Sequence, residues 1–167
     1  AFLSPRKGHD VLLRALAMAR EQGATPTLWC AGGTPEGHEE WAASLRSLAG
    51  SLGIADQVRW LGLRHDVPAL LAACDAVVLA SREEAAPLSI AEAMMAARPV
   101  VATRVGAIDT MVADGYTGRL APPDDPESLA EALVEVCSSE DLRRERGEAG
   151  RRRARERYAP ARFREGI

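Results

Sequence analysis

The 167-residue chain contains no asparagine, and its single lysine, Lys7, stands beside 20 arginines. With 31 alanines as well, the bias looks like a GC-rich coding background in which Arg replaces Lys wherever any cation will serve. Arg and Lys are not equivalent where a compact, flexible ammonium is needed, so a lone Lys marks a position worth following. Only three cysteines occur, Cys30, Cys74 and Cys137, and no two are spaced as a C-x-x-C pair. That excludes a zinc ribbon or dithiol redox centre and leaves three small, buried hydrophobes in a reducing cytosol. No apolar run approaches the roughly 18–20 residues that span a bilayer. Ala1–Asp10 carries Arg6, Lys7 and Asp10 in place of a signal peptide, and the missing initiator Met leads to the expectation of an excised domain.

What is present is the composition of a globular protein, 47% hydrophobic and 27% charged, which excludes wholesale disorder. The length suits one domain with its own core. The net charge of −3 is unevenly spread: residues 143–164 hold ten Arg and three Glu, a local net of +7, against −10 elsewhere. Such a segment could meet nucleic acid or an anionic membrane. Interleaved Glu145, Glu148 and Glu156, with Tyr158 as the one aromatic of the helix, favour a solvated helix with no nucleic-acid partner. A peripheral membrane face is the functional alternative.

Short apolar runs alternate with longer periodic ones. Pro26–Ala31, Val58–Leu61, Ala76–Ala80 and Pro99–Thr103 read as strands, with Gly118–Ala121 and the pair Phe2-Leu3 bringing the expected number to about six. Continuously apolar strands fit a parallel sheet buried on both faces. Helices are expected at Asp10–Glu21, 37–52, Val67–Cys74, Leu88–Ala97, Ala107–Ala113, Pro126–Cys137 and Leu142–Tyr158, the last stopped by Pro160. Trp41, Leu45, Leu48 and Leu52 form an amphipathic stripe. Val67, Leu70, Leu71 and Cys74 are expected to be buried, and Leu88–Ala97 to lie deep. Repeated strand–helix–strand units imply right-handed crossovers and an α/β, doubly wound, Rossmann-like domain with helices on both faces.

Ligands of such sheets sit at the carboxyl ends of the strands, so the strand-to-helix turns hold the candidate chemistry. In Ser81–Glu92 (SREEAAPLSIAE), the head of a helix offers amides to an anion, and Glu84 and Glu92 stand eight apart, able to flank one cleft. Ser89-Ile90-Ala91-Glu92 also reads as a capping box, which would tie Glu92 back to Ser89. Lys7-Gly8 occupies the first turn. Lys7 is either a solvated surface cation or a group reaching a phosphate, and the scarcity of Lys weighs toward the second.

The run LSPRKGHDVLLRALA, then AGG, WLG and DVPALLAACDAVVLASREEAAPLSIAEAMMAARPVVATRVGAIDTMVADGYTGRLAPPDDPESLAEAL, resembles the retaining, group 1 (family 4) glycosyltransferases. The likeness is to their carboxy-terminal, nucleotide-sugar-binding domain, one half of the GT-B fold, and runs from about Leu3 to Cys137. It implies a single donor-binding domain over 1–167, lacking the amino-terminal acceptor domain and nearly inactive alone. It also implies catalytic roles for Lys7, at the donor diphosphate, and Glu84, at the sugar hydroxyls. Glu92 would accept from the ribose, amides near Leu88 and Ser89 would hold phosphates and sugar, Leu63-Arg64 would meet the base, and Gly8 would line the nucleotide-sugar site beside Lys7. No metal or other cofactor is implied, and the location would be cytoplasmic, with peripheral membrane contact as an option.

Three positions depart from the family pattern. Phe2 stands where Arg is common, and Arg6 nearby would point differently. Ala85 and Ala97 stand where Gly is usual, although Gly alone tolerates positive φ freely. A degenerate nucleotide-binding or interaction module is the competing reading. His9, His38 and His65 share no ligand spacing and are expected on the surface or as caps. Asp66 and the Asp124-Asp125 pair are expected to cap helices.

Overall fold

Parallel strand pairing organises residues 1–158, the part that the computed structural model describes; Pro160 lies outside it. Strands β1 (Leu28–Ala31) and β2 (Val58–Gly62) form one parallel pair, Leu28 opposite Val58. Strands β3 (Val77–Leu79), β4 (Val100–Thr103) and β5 (Gly118–Ala121) form a second parallel sheet in that order. The helices are α1 (His9–Glu21), α2 (Glu39–Ser51), α3 (Val67–Ala73), α4 (Leu88–Met95), α5 (Ile108–Met111), α6 (Pro126–Ser138) and α7 (Glu140–Tyr158).

The described residues thus hold five strands, not six. Phe2-Leu3 is no strand. Only the Ala1 nitrogen reaches Ala31 (2.6 Å) and the Leu3 amide reaches Gly33 (2.9 Å) before the chain tightens into a 3₁₀ turn at Pro5–Lys7. A proline five residues in has no N–H to extend a ladder.

Helices cover both faces of the three-stranded sheet. Ala80, Val101 and Ala121 pack with Val11, Leu12, Leu129 and Val136 of α1 and α6. On the other face Leu79, Val100, Ala102 and Leu120 pack with Ile90 and Met94 of α4, Ile108 of α5 and Ala154 of α7. A third cluster joins Leu13 and Leu16 of α1 to Leu45 of α2 and to Cys30 and Val58. Each fully buried Leu or Ile contributes about 1.5–3 kcal/mol.

Two burial expectations fail. None of the α3 residues is buried, and Val67 is exposed, because a seven-residue helix covers little of the sheet. In α4 only Ile90, Ala93 and Met94 are buried, whereas Leu88 and Met95 face solvent. Helix α7 is not a free basic rod. Arg143 donates to the Val136 and Cys137 carbonyls, Arg146 pairs with Glu135, and Arg153 donates to the Met111 and Thr110 carbonyls. Ala149 and Ala154 are buried beneath it.

Candidate functional site

The turn Pro5–Gly8 and the turn after β3 meet at the carboxyl edge of the sheet. Gly8 adopts φ 60°, and a Cβ there would lie 1.9 Å from the Ala80 carbonyl oxygen, so only glycine allows the approach. The Arg82 amide donates to the Arg6 carbonyl at 2.8 Å. This brings the Lys7 Nζ within 2.5 Å of Glu84 Oε1, with the two side chains 21% and 8% exposed. Buried Ser81 donates its hydroxyl to the same oxygen at 2.8 Å, and Thr103 Oγ1 donates to the Ser81 carbonyl. From the far side, Gly106 presses against the Glu84 carbonyl, where a Cβ would be 1.8 Å away, and Ala107 donates to the Ala85 carbonyl.

The Glu84 carboxylate is thus held by an ammonium and a hydroxyl on a backbone fixed from two directions. Beside it lies an open cleft of ≈ 540 Å³ lined by Phe2, Ser4, Arg6, Lys7 and His38 among others. Phe2 is 56% exposed there. Arg6 also lines this cleft.

Helix α4 starts at Leu88 behind Pro87, and no side chain caps it. Its first amides therefore remain available to an anion. Ser89 lies at the second helical position and Glu92 at the fifth, so the capping box is out of frame and does not form. Glu92 is exposed. Leu63 is exposed beside Gly33, at the end of β2. Arg64 makes a bidentate pair with Asp66 at 2.8 and 2.6 Å. That pair occupies the Asp66 carboxylate, which stands at the head of α3 without capping it. Asp125 does cap α6, accepting from the Ser128 amide and hydroxyl.

Of the departures, Ala85 has no positive φ, whereas Ala97 adopts φ 56°. Ala97 ends α4: its amide donates to Met94 and that of Arg98 to Ala93, the Schellman arrangement that favours glycine at this position. The cysteines are all free, but only Cys30 is buried as expected; Cys74 and Cys137 are half-buried. Burial raises all three thiols, Cys30 to about 11, which suits inert packing roles.

His9 corrects the expectation of a surface histidine. It is 7% exposed at the head of α1, its Nδ1 without a partner among the described residues, and burial pushes its pKa down to about 4. Arg82 was given no role by the sequence. Its guanidinium binds Asp10 and Asp124, and burial, which would raise the Asp10 pKa, is outweighed by these bonds so that Asp10 lies below its usual value. Asp10 and Asp124 are 72 and 42 positions away from Arg82, so no local signal could reveal the cluster.

The family model described as "Glycosyl transferases group 1" matches residues 1–139. The chain belongs to this family. A D-inositol 3-phosphate glycosyltransferase of Corynebacterium urealyticum is 36% identical over 142 residues, covering 82% of this chain and 33% of that protein. The chain spans about a quarter to a third of the length of the curated relatives it matches. Among solved structures, Anabaena HepE in complex with UDP and glucose superposes with a TM-score of 0.88 at 30% identity, covering 95% of this chain and 42% of that one. The C-terminal domain of the group 1 protein LpcC from Francisella tularensis has the same fold (TM-score 0.86, 23% identity), covering 94% of this chain and 82% of that one. The α/β architecture is therefore that of a GT-B glycosyltransferase domain.

Proposed function

We propose that this chain is the donor-binding domain of a retaining glycosyltransferase, taking a nucleoside-diphosphate sugar whose acceptor is bound by a separate, amino-terminal domain. The observation that carries the reading is the Lys7–Glu84 pair at the sheet's carboxyl edge, beside an open cleft. The uncapped head of α4 and the UDP bound by HepE support it.

A diphosphate entering the cleft would draw the Lys7 ammonium from Glu84. As the glycosidic bond breaks, negative charge grows on the departing phosphate, and a cation there stabilises the transition state more than the ground state. Glu84, released, offers two oxygens to sugar hydroxyls. Amides at Leu88 and Ser89 take remaining phosphate or sugar oxygens, and Glu92 accepts from the ribose. Leu63 and Arg64 border the base, Arg64 only after leaving Asp66. The reading assigns no metal, because Lys7 and the α4 amides supply the positive charge.

A cytoplasmic location fits the three free cysteines. A peripheral membrane face has less support, since Arg143, Arg146, Arg153 and Arg157 of α7 are engaged with the domain. The second reading, a degenerate nucleotide-binding or interaction module without transfer activity, is favoured by one observation: apolar Phe2 lines the cleft where the resembled family carries Arg. Calorimetry with UDP, GDP and ADP tests the proposal. Binding of one nucleotide, lost in Lys7→Ala, supports it, and no binding to any of the three overturns it.

A further inference from the structure

The guanidinium of Arg82 ties together three turns that are distant in sequence. Nη1 donates to the Pro5 carbonyl at 2.6 Å, Nη1 and Nη2 grip Asp10 at 2.9 and 2.8 Å, and Nε donates to Asp124 at 2.7 Å. Its backbone amide adds the bond to the Arg6 carbonyl. Pro5 and Arg6 lead directly into Lys7, and Glu84 follows Arg82 by two residues. Asp124, on the turn between β5 and α6, holds φ 58°, a left-handed conformation that a non-glycine residue keeps only when its surroundings impose it. A planar fork with five N–H donors makes all four of these side-chain bonds together, whereas a lysine ammonium has only three N–H groups and no fixed fork.

We propose that Arg82 is a positioning residue: through Asp10, Asp124 and the Pro5 carbonyl it locks the Lys7 turn against the Glu84 turn and sets the ammonium–carboxylate geometry that a donor diphosphate meets. Its bearing on donor binding rests on the function proposed above; the positioning of Lys7 does not. Lys7 has a four-carbon flexible stem, and its base lies in the 3₁₀ segment Pro5–Lys7, none of whose residues is buried. Without the Arg82 guanidinium, that turn keeps one backbone bond to the Glu84 loop, from the amide of residue 82 to the Arg6 carbonyl, and the Lys7–Glu84 pair itself.

The single lysine gives a direct readout. A chain labelled with ¹⁵N-lysine has one side-chain ammonium resonance, and Glu84→Gln defines where it falls once the pair is lost. Arg82→Gln is expected to move the Lys7 resonance toward that position, and Asp124→Asn, which removes one carboxylate, to move it part of the way. UDP affinity should fall roughly tenfold in Arg82→Gln through lost preorganisation, with no further loss in a Lys7→Ala background, because residues acting as a unit are not additive. A wild-type resonance position in Arg82→Gln, with only a lower Tm, would overturn the proposal, as would additive losses of UDP affinity. Should Arg82→Gln not fold, the Asp124→Asn resonance decides in the same two directions. Should the wild-type chain bind none of UDP, GDP and ADP, the donor-site reading fails, and the resonance alone decides whether Arg82 positions Lys7; should it bind GDP or ADP instead of UDP, that nucleotide takes the place of UDP in the affinity measurements.

Discussion

Lys7 Nζ lies 2.5 Å from Glu84 Oε1, joining residues 77 positions apart. The carboxylate side chain is 8% exposed and keeps only Ser81 when the cation is removed. Lys7→Ala should therefore destabilise the domain by about 1–3 kcal/mol, the penalty for an under-satisfied buried group. Adding Glu84→Gln should recover part of that loss, because the stranded charge disappears. Urea denaturation of the single and double variants is the measurement; equal stabilities would mean that Glu84 is solvated without Lys7.

Ala97 at φ 56° predicts a gain from a substitution. The left-handed region costs an L-residue about 1–2 kcal/mol, and glycine returns part of that through its larger unfolded-state entropy. Ala97→Gly should raise stability by roughly 1 kcal/mol, visible as a higher urea midpoint with an unchanged m-value. A lower midpoint would show that the Schellman turn of α4 is not strained by alanine.

The residues that were legible in sequence are those governed by local periodicity. Trp41, Leu45, Leu48 and Leu52 lie on the face of α2 turned to the core, and the apolar runs at Val58 and Val100 became parallel strands. Glu84 was legible because it stands in a strand-to-helix turn, where the sheet presents its ligand edge, and Lys7 because it is the single lysine, although the turn that carries it leads into α1 with no strand before it. Spacing could not fix a helix frame: S-x-x-E fits a cap or an interior equally, and Pro87 starts α4 two residues too early for the box. Nor could it show the burial of His9, or find Arg82, whose partners are brought to it by tertiary folding alone.

Buried His9 makes acid sensitivity a specific expectation. Its pKa in the fold is about 4 against an ordinary 6.5, chiefly through desolvation. Between those values the unfolded chain binds the proton and the folded chain does not, so stability falls as pH drops from 6.5 to 4. Each pKa unit corresponds to about 1.4 kcal/mol, which places the full loss at up to about 3 kcal/mol. Asp10, whose pKa is lowered, adds its own loss only below its unfolded value of 3.8. The His9→Leu variant should show a flat stability profile across pH 4–6.5 in denaturant titrations. The same slope in variant and wild type would assign the acid response elsewhere.

Glu92 is free of the capping box, so its removal should be felt by ligand and not by fold. Glu92→Gln should weaken nucleotide binding by about 1–3 kcal/mol, the range for charge-assisted hydrogen bonds, while leaving Tm unchanged. Calorimetry beside thermal unfolding separates the two effects. A lower Tm with unaltered affinity would place Glu92 in helix stability and not in ribose recognition.

Phe2 tests whether the cleft beside Lys7 receives the diphosphate. It is 56% exposed and lines a cleft shared with Arg6 and Lys7. Its backbone is already fixed, since the flanking Ala1 nitrogen and Leu3 amide are bonded to Ala31 and Gly33. Phe2→Arg therefore adds a second guanidinium without moving the chain. For a partly exposed charge the gain in nucleoside-diphosphate affinity should be about 1 kcal/mol, and it should shrink as salt is raised. Arg6→Ala should act in the opposite direction in the wild type, and less so once Arg is present at position 2. If Phe2→Arg leaves the affinity for UDP unchanged at low salt, the diphosphate does not lie in this cleft, and Lys7 must reach it across Glu84 instead.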